Sequence, residues 1–169
     1  MNITRSQLRR SKFDVSSDRR TKPTVSSDYV VGLTDGEGCF YVNTTPLKRY
    51  RAGVFVGLHF YIKLNARDKD VLEQVRDALG CGAVYFQKEI RANHAQCYRY
   101  SVSSSRDIIE KIIPFFNEHQ LQTASKRENF KIFSQISKLV EEKQHLTFEG
   151  VNLIRDLKSK MNKKTVGLA

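Results

Sequence analysis

The sequence predicts an α+β domain in which two β-hairpins form one antiparallel sheet with helices on one of its faces. Two pairs of segments alternate apolar and polar residues with period two, 39–45 with 53–64 and 83–90 with 96–103. Each pair is joined by a polar turn, Pro46 to Arg51 in the first and Arg91-Ala92-Asn93 in the second. Stretches of helical spacing stand before, between and after the pairs, so the order reads α-β-β-α-β-β-α-α-α.

The first helix follows Ser26-Ser27-Asp28, which offers N-cap chemistry, and runs through Tyr29 to Gly38, its expected C-cap. Phe40, Val42 and Thr44 then share one face of a strand, with Tyr41, Asn43 and Thr45 on the other. In the second strand the same rule turns Val54, Val56, Leu58, Phe60, Ile62 and Leu64 inward. It leaves Phe55, His59, Tyr61 and Lys63 outside. Val71, Leu72, Val75 and Leu79 mark a helix stopped by Gly80-Cys81-Gly82. After the second hairpin, Ser104 or Ser105 caps a helix burying Ile108, Ile109, Ile112 and Ile113, with Pro114 disturbing its last turn. A further helix spans about Thr123 to Val140. Thr147-Phe148-Glu149-Gly150 opens a last one that fades into the basic Lys158 to Lys164.

This order divides the chain into a basic tail (1–22), a core (23–140) and a C-terminal helical extension (141–169). The tail holds seven Lys/Arg against two Asp, which suits either a phosphate-seeking arm or a solvated leader. Over the whole chain 29 Lys+Arg oppose 18 Asp+Glu, a net charge of +11, which points to a polyanionic partner. No apolar run approaches the roughly 20 residues of a membrane span. Cys39, Cys81 and Cys97 form neither an even framework nor a CxxC pair, which argues against structural zinc and disulfides. The histidines show no metal-binding spacing and no phosphate loop is present.

The sheet face away from the helices carries Tyr41, Asn43, His59, Tyr61, Lys63, Tyr85, Gln87, Arg99 and Ser101. Aromatic, basic and hydrogen-bonding groups of this kind suit base edges and phosphates, and equally an ordinary solvated face. The first helix weighs between these. Gly32 and Gly36 lie on one face, where a glycine costs about 1 kcal/mol unless close approach of another helix repays it. Asp35 and Glu37 sit at its C-terminal end, against the helix dipole, an arrangement that a bound cation with oxygen ligands would explain.

The run Val30-Val31-Gly32-Leu33-Thr34-Asp35-Gly36-Glu37-Gly38 resembles the LAGLIDADG motif of homing endonucleases. The phrases Leu79-Gly80-Cys81-Gly82, Tyr98-Arg99-Tyr100-Ser101-Val102 and Ile112-Ile113-Pro114-Phe115-Phe116 also resemble that family, whose αββαββα order matches about Ser27 to Val140. A single copy of the motif implies the homodimeric branch, with Val31, Gly32, Asp35 and Gly36 at the helix–helix interface. The resemblance implies a site-specific endonuclease that cuts both strands of a long pseudo-palindromic DNA site and leaves short 3′ extensions. Neither a membrane nor a small-molecule substrate is implied. Glu37 and the Gly36 carbonyl would hold Mg²⁺, with Ca²⁺ or Mn²⁺ able to substitute. The outward sheet residues would read the DNA, with Arg49 and Arg51 of the first hairpin turn reaching outer base pairs or backbone.

Two positions depart from the family pattern. Leu64 stands where members often carry a Gln beside the active site, which leaves Lys63 or Asn65 to serve there. The family's Lys near the scissile phosphate falls between Ala124 and Lys126, and Lys126 is the candidate. A second reading keeps the fold without cleavage, as a DNA-binding regulator or an RNA-splicing maturase. The compartment stays open.

Overall fold

A computed structural model describes residues 24–91 and 94–161. The basic tail expected over 1–22 and the turn residues Ala92 and Asn93 lie outside the described residues. Helix α1 (Ser27–Glu37) is capped by Ser26, whose side chain accepts from the Tyr29 N–H. It passes without a loop into β1 (Gly38–Pro46), which pairs with β2 (Val54–Asn65) around a turn at Leu47–Gly53. Helix α2 (Lys69–Leu79) ends on Gly80, whose left-handed φ of 63° releases the chain toward β3 (Ala83–Gln87) and β4 (Cys97–Val102).

The helical elements α3 (Ser105–Asp107) and α4 (Ile113–Glu118) are continuous through a π-helical turn, Ile108–Ile112. Pro114 explains that turn. It has no N–H to offer the carbonyl four residues back, and its ring crowds that carbonyl. The backbone widens, and Ile113 N–H bonds to the Ile108 carbonyl instead. Helices α5 (Ala124–Glu141) and α6 (Phe148–Lys160) complete the chain. Among the described residues no helix is long and apolar enough to cross a membrane.

The sheet is antiparallel throughout, in the order β1-β2-β4-β3, so the two hairpins join through their longer strands β2 and β4. The period-two assignment of faces holds. Phe40, Val42, Val54, Val56, Leu58, Phe60 and Ile62 are buried against the helices. Leu64 keeps the inward side but is only half-buried near the strand end. Phe40 is the hub of an aromatic cluster, stacked on Phe60 at 5.1 Å and ringed by Phe116, Phe130 and Phe133 at 5.3–5.4 Å. Val151, Ile154 and Met161 join the same buried cluster, so α6 packs on this core.

Strand β3 is shorter than the expected 83–90. After Gln87 the backbone N–H of Glu89 donates to Gln96 Oε1, and Gln96 Nε2 donates back to the Glu89 carbonyl. A side-chain amide thereby replaces strand pairing, and Ile90 is left exposed. The glycine after α1 is its C-cap, as expected, its N–H closing the helix on the Thr34 carbonyl. Gly38 has an extended φ of −75°. Its role is steric, since a Cβ there would lie 2.6 Å from the Thr34 methyl and 2.8 Å from the Thr34 backbone.

Candidate functional site

The junction of α1 and β1 gathers the chemistry. Gly38 N–H closes the helix on the Thr34 carbonyl, which sets Glu37 at the helix end, exposed, with the Gly36 backbone exposed beside it. Glu37 has no ion-pair partner among the described residues. Lys126, in the first turn of α5, donates from Nζ to the Gly38 carbonyl. Glu37 sits at a helix C-terminus and Lys126 at a helix N-terminus, so each charge opposes its local dipole. The fold therefore brings Lys126 onto the carbonyl of Gly38, the residue next to Glu37, so two charges each disfavoured by its own helix meet at one junction. No three His, Cys, Asp or Glu side chains among the described residues cluster closely enough to cage an ion. A hard divalent cation taking Glu37 and the Gly36 carbonyl would complete its shell from water and phosphate oxygens, which suits Mg²⁺.

Asp35 acts within the chain. Its carboxylate accepts from the Gln122 N–H (2.8 Å), the Thr123 N–H (3.2 Å) and the Thr123 hydroxyl (2.8 Å). These donors belong to the N-cap of α5, Thr123, and the residue before it. Burial pushes the Asp35 carboxyl up, but those hydrogen bonds and the Lys126 charge outweigh it and hold it below the usual carboxylate value of 3.8. The carboxylate thereby fixes the first turn of α5 and the direction from which Lys126 reaches Gly38.

The four positions expected at a helix–helix interface thus divide. Gly32 and Gly36 are exposed, and a Cβ on either would meet nothing within 4 Å. Val31 is corrected to a core residue, 5% exposed, because it turns inward with Val30 and Thr34. Asp35 is half-exposed and bonds within the chain to Gln122 and Thr123.

The expected reading face is assembled by the ladder. Tyr41 lies opposite His59, Tyr61 opposite Ser101, and Lys63 opposite Arg99, which in turn faces Tyr85. Asn43 faces Gly57 and accepts from the Thr45 hydroxyl at 2.9 Å. The Arg99 guanidinium stacks 4.4 Å over the Tyr61 ring. Its Nε, and Gln87 Oε1, are buried without a hydrogen-bond partner, a donor and an acceptor with unmet demand on this face. A hydrogen bond with Cys39, then burial, pushes the Tyr61 phenol up to about 12, so it stays protonated and able to donate. Burial pushes the His59 imidazole below 6.5 and keeps it neutral at pH 7, with one donor and one acceptor. Arg49 and Arg51 project exposed from the β1–β2 turn, Arg49 lying 5.6 Å over the Tyr50 ring.

Of the two candidates beside Leu64, Lys63 lies on the reading face, while Asn65 is occupied capping the Arg67 N–H. Lys63 is paired with Glu89 at 3.4 Å. Lys158 of α6 reaches round the edge strand to the Thr44 hydroxyl (3.0 Å) and lies 5.6 Å over the Tyr41 ring. Sequence reasoning passes over both Glu89 and Lys158. Neither contact has a local signal, since they span 26 and 114 residues.

Replacing Asp35 with Ala should destabilise the protein by about 1–2 kcal/mol at pH 7, the usual loss of a helix-capping carboxylate. The folded-state pKa is depressed, so this contribution is complete above 3.8 and fades as pH falls below that value. Urea unfolding of both proteins at pH 7 and pH 3 should show the smaller difference at pH 3.

Comparison with known proteins agrees with this geometry. A family model described as LAGLIDADG endonuclease matches residues 30–137. A Neurospora crassa protein named "Probable intron-encoded endonuclease 3" is 33% identical over 155 residues, covering 90% of this chain and 27% of its own. The chain spans 26–34% of the length of the curated relatives it matches. The crystal structure of a homing endonuclease, I-TnaI, superposes with a TM-score of 0.74 at 34% identity, over 85% of this chain and 92% of that one. I-SmaMI, bound to uncleaved DNA target in the presence of calcium ions, gives a TM-score of 0.76 at 31% identity, over 85% of this chain and 47% of that one. With the motif helix, the two-hairpin sheet and the terminal acid all in place, this chain belongs to the LAGLIDADG endonuclease family.

Proposed function

We propose that this protein is a site-specific homing endonuclease that hydrolyses both strands of duplex DNA with a divalent metal, acting as a homodimer. The observation that carries this is the exposed Glu37, set by Gly38 at the rim of the reading face with Lys126 held against the same junction. DNA bound to I-SmaMI and calcium in one of its structures support a nucleic-acid partner and a divalent ion for this chain as well.

Glu37 and the Gly36 carbonyl would hold a divalent ion, which when bound would supply Lewis-acid polarisation of the scissile phosphate and a bound water of lowered pKa. The looplessness of the junction keeps both residues in fixed relation to the sheet. Lys126 faces the phosphate as a positive charge that stabilises the pentacovalent oxygens. Tyr41, Asn43, His59, Tyr61, Gln87, Arg99 and Ser101 present donors and acceptors to base edges, while Tyr85, Arg49 and Arg51 extend the contact outward. Lys63 stands between the two sets, close enough to the junction to orient water or phosphate: Gly38 pairs with Ile62, its neighbour in β2.

Pairing through α1 explains its outer surface. Tyr29, Gly32, Leu33 and Gly36 recur at helical spacing, with Tyr29 47% exposed and both glycines open. A second copy laid against this stripe about a two-fold axis brings two Glu37 carboxylates together and doubles the reading face. This is the isologous contact of cyclic dimers.

Glu37→Gln should slow cleavage by at least about 100-fold, a loss of several kcal/mol of transition-state stabilisation, while leaving DNA affinity nearly unchanged. Cleavage by the variant at the native rate with Mg²⁺ would remove the metal assignment. Gly32→Leu should convert the dimer to monomer in sedimentation velocity. An unchanged dimer would rule out the α1 contact.

A further inference from the structure

The reading face of a DNA-binding protein gains affinity from cations free to meet phosphate. Two cations on this face are not free. Glu89 holds Lys63 Nζ at 3.4 Å through one carboxylate oxygen and Arg91 Nε at 3.3 Å through the other. The cations come from different places, Lys63 from β2 and Arg91 from the segment after β3, so the acid ties the central strand to the second hairpin. Its backbone is anchored on both sides by the Gln96 amide, at 3.1 and 3.2 Å. The Glu89 side chain is 12% exposed and that of Arg91 73%. The acid is therefore a shielded centre, anchored through its backbone, and Arg91 is the exposed partner paired with it. Desolvation pushes the Glu89 carboxyl up, but the hydrogen bonds from Arg91 and Lys63 outweigh it and keep it ionised at neutral pH.

An anchored carboxylate facing a polyanion disfavours close phosphate approach at that point. An ordinary surface ion pair stabilises a fold by little. The effect on binding is larger, because two cations are withheld from any phosphate that arrives without correct base contacts. This is discrimination by a repulsive element.

Resting on the reading of this face as a DNA-binding surface, we propose that Glu89 is a specificity-determining residue that restrains Lys63 and Arg91 and thereby suppresses binding to non-cognate DNA. The acid lowers affinity for random sequence, and releasing it frees both cations for phosphate. Lys63 is the less exposed partner, 32% against 73% for Arg91, so the effect of Glu89 passes in large part through it.

Fluorescence anisotropy with a random-sequence duplex of about 30 base pairs, over a salt series, tests this with the wild type, Glu89→Gln, Lys63→Met and the double variant. Glu89→Gln should bind about tenfold tighter at low salt. The slope of log affinity against log salt should steepen by about one for each cation released. Lys63→Met in the same chain should remove at least half of that gain. Gln96→Ala, which frees the anchor but keeps the acid, should move affinity in the same direction, and thermal melting confirms that each variant folds. Equal affinity and slope for Glu89→Gln and wild type would overturn the proposal. So would a full gain that persists in the Lys63→Met background, because the acid would then act only as general negative charge. A wild type with no salt-dependent DNA binding would instead overturn the proposed function, and this inference with it.

Discussion

Everything at the functional end of the molecule depends on one steric constraint, the passage from helix to strand at Gly38 with no loop between. Only a hydrogen fits against Thr34 there, so the chain turns from α1 into β1 within a single residue. Two consequences follow at once. Glu37 is held at the rim of the sheet instead of on a mobile connection. Phe40, two residues on, is driven into the centre of the aromatic cluster, so the rigidity of the core is transmitted to the acid. The same joint also receives α5. Asp35 accepts from Gln122 and Thr123 and Lys126 returns to the Gly38 carbonyl, so the joint and the start of α5 are tied in both directions.

How much of this was legible in the sequence follows from the range of each interaction. The strand faces were legible because alternation needs only the local pleat, and Phe40, Val42, Leu58 and Phe60 fall inward whatever the strand order. Glu37 and the paired glycines were legible because they break local rules of helix chemistry. The joining of β2 to β4 was not, since either strand of each hairpin alternates equally well. The tie of Asp35 to the start of α5 was not legible because its partners, Gln122 and Thr123, lie 87 and 88 positions away. Glu89 and Lys158 escaped for the same reason. The end of β3 at Gln87 depended on the Gln96 side chain competing with the ladder, which no strand propensity encodes.

The charge of the chain takes on a clearer meaning in this setting. Lysines and arginines are spread over the hairpin turn, the outward sheet face and the helices, a distribution that suits general attraction to a polyanion. The acids are fewer and more particular. Asp35 builds the joint, Glu37 stands exposed at its tip, and Glu89 pairs with Lys63 and Arg91. The long curated relatives, of which this chain matches about a quarter to a third, show that the unit recurs inside larger proteins. I-TnaI, at nearly the same length, shows it as a chain of this size.

The most direct measurement is of cleavage itself. The protein should be incubated with Mg²⁺ and duplex DNA spanning the uninterrupted insertion site of its own gene, and both strands mapped at nucleotide resolution. Paired cuts at one position, offset to leave short 3′ extensions and absent when the metal is chelated, are the predicted result. Tight, sequence-specific binding to that DNA with neither strand cut would contradict it, and would leave Glu37 and Lys126 as parts of a binding module.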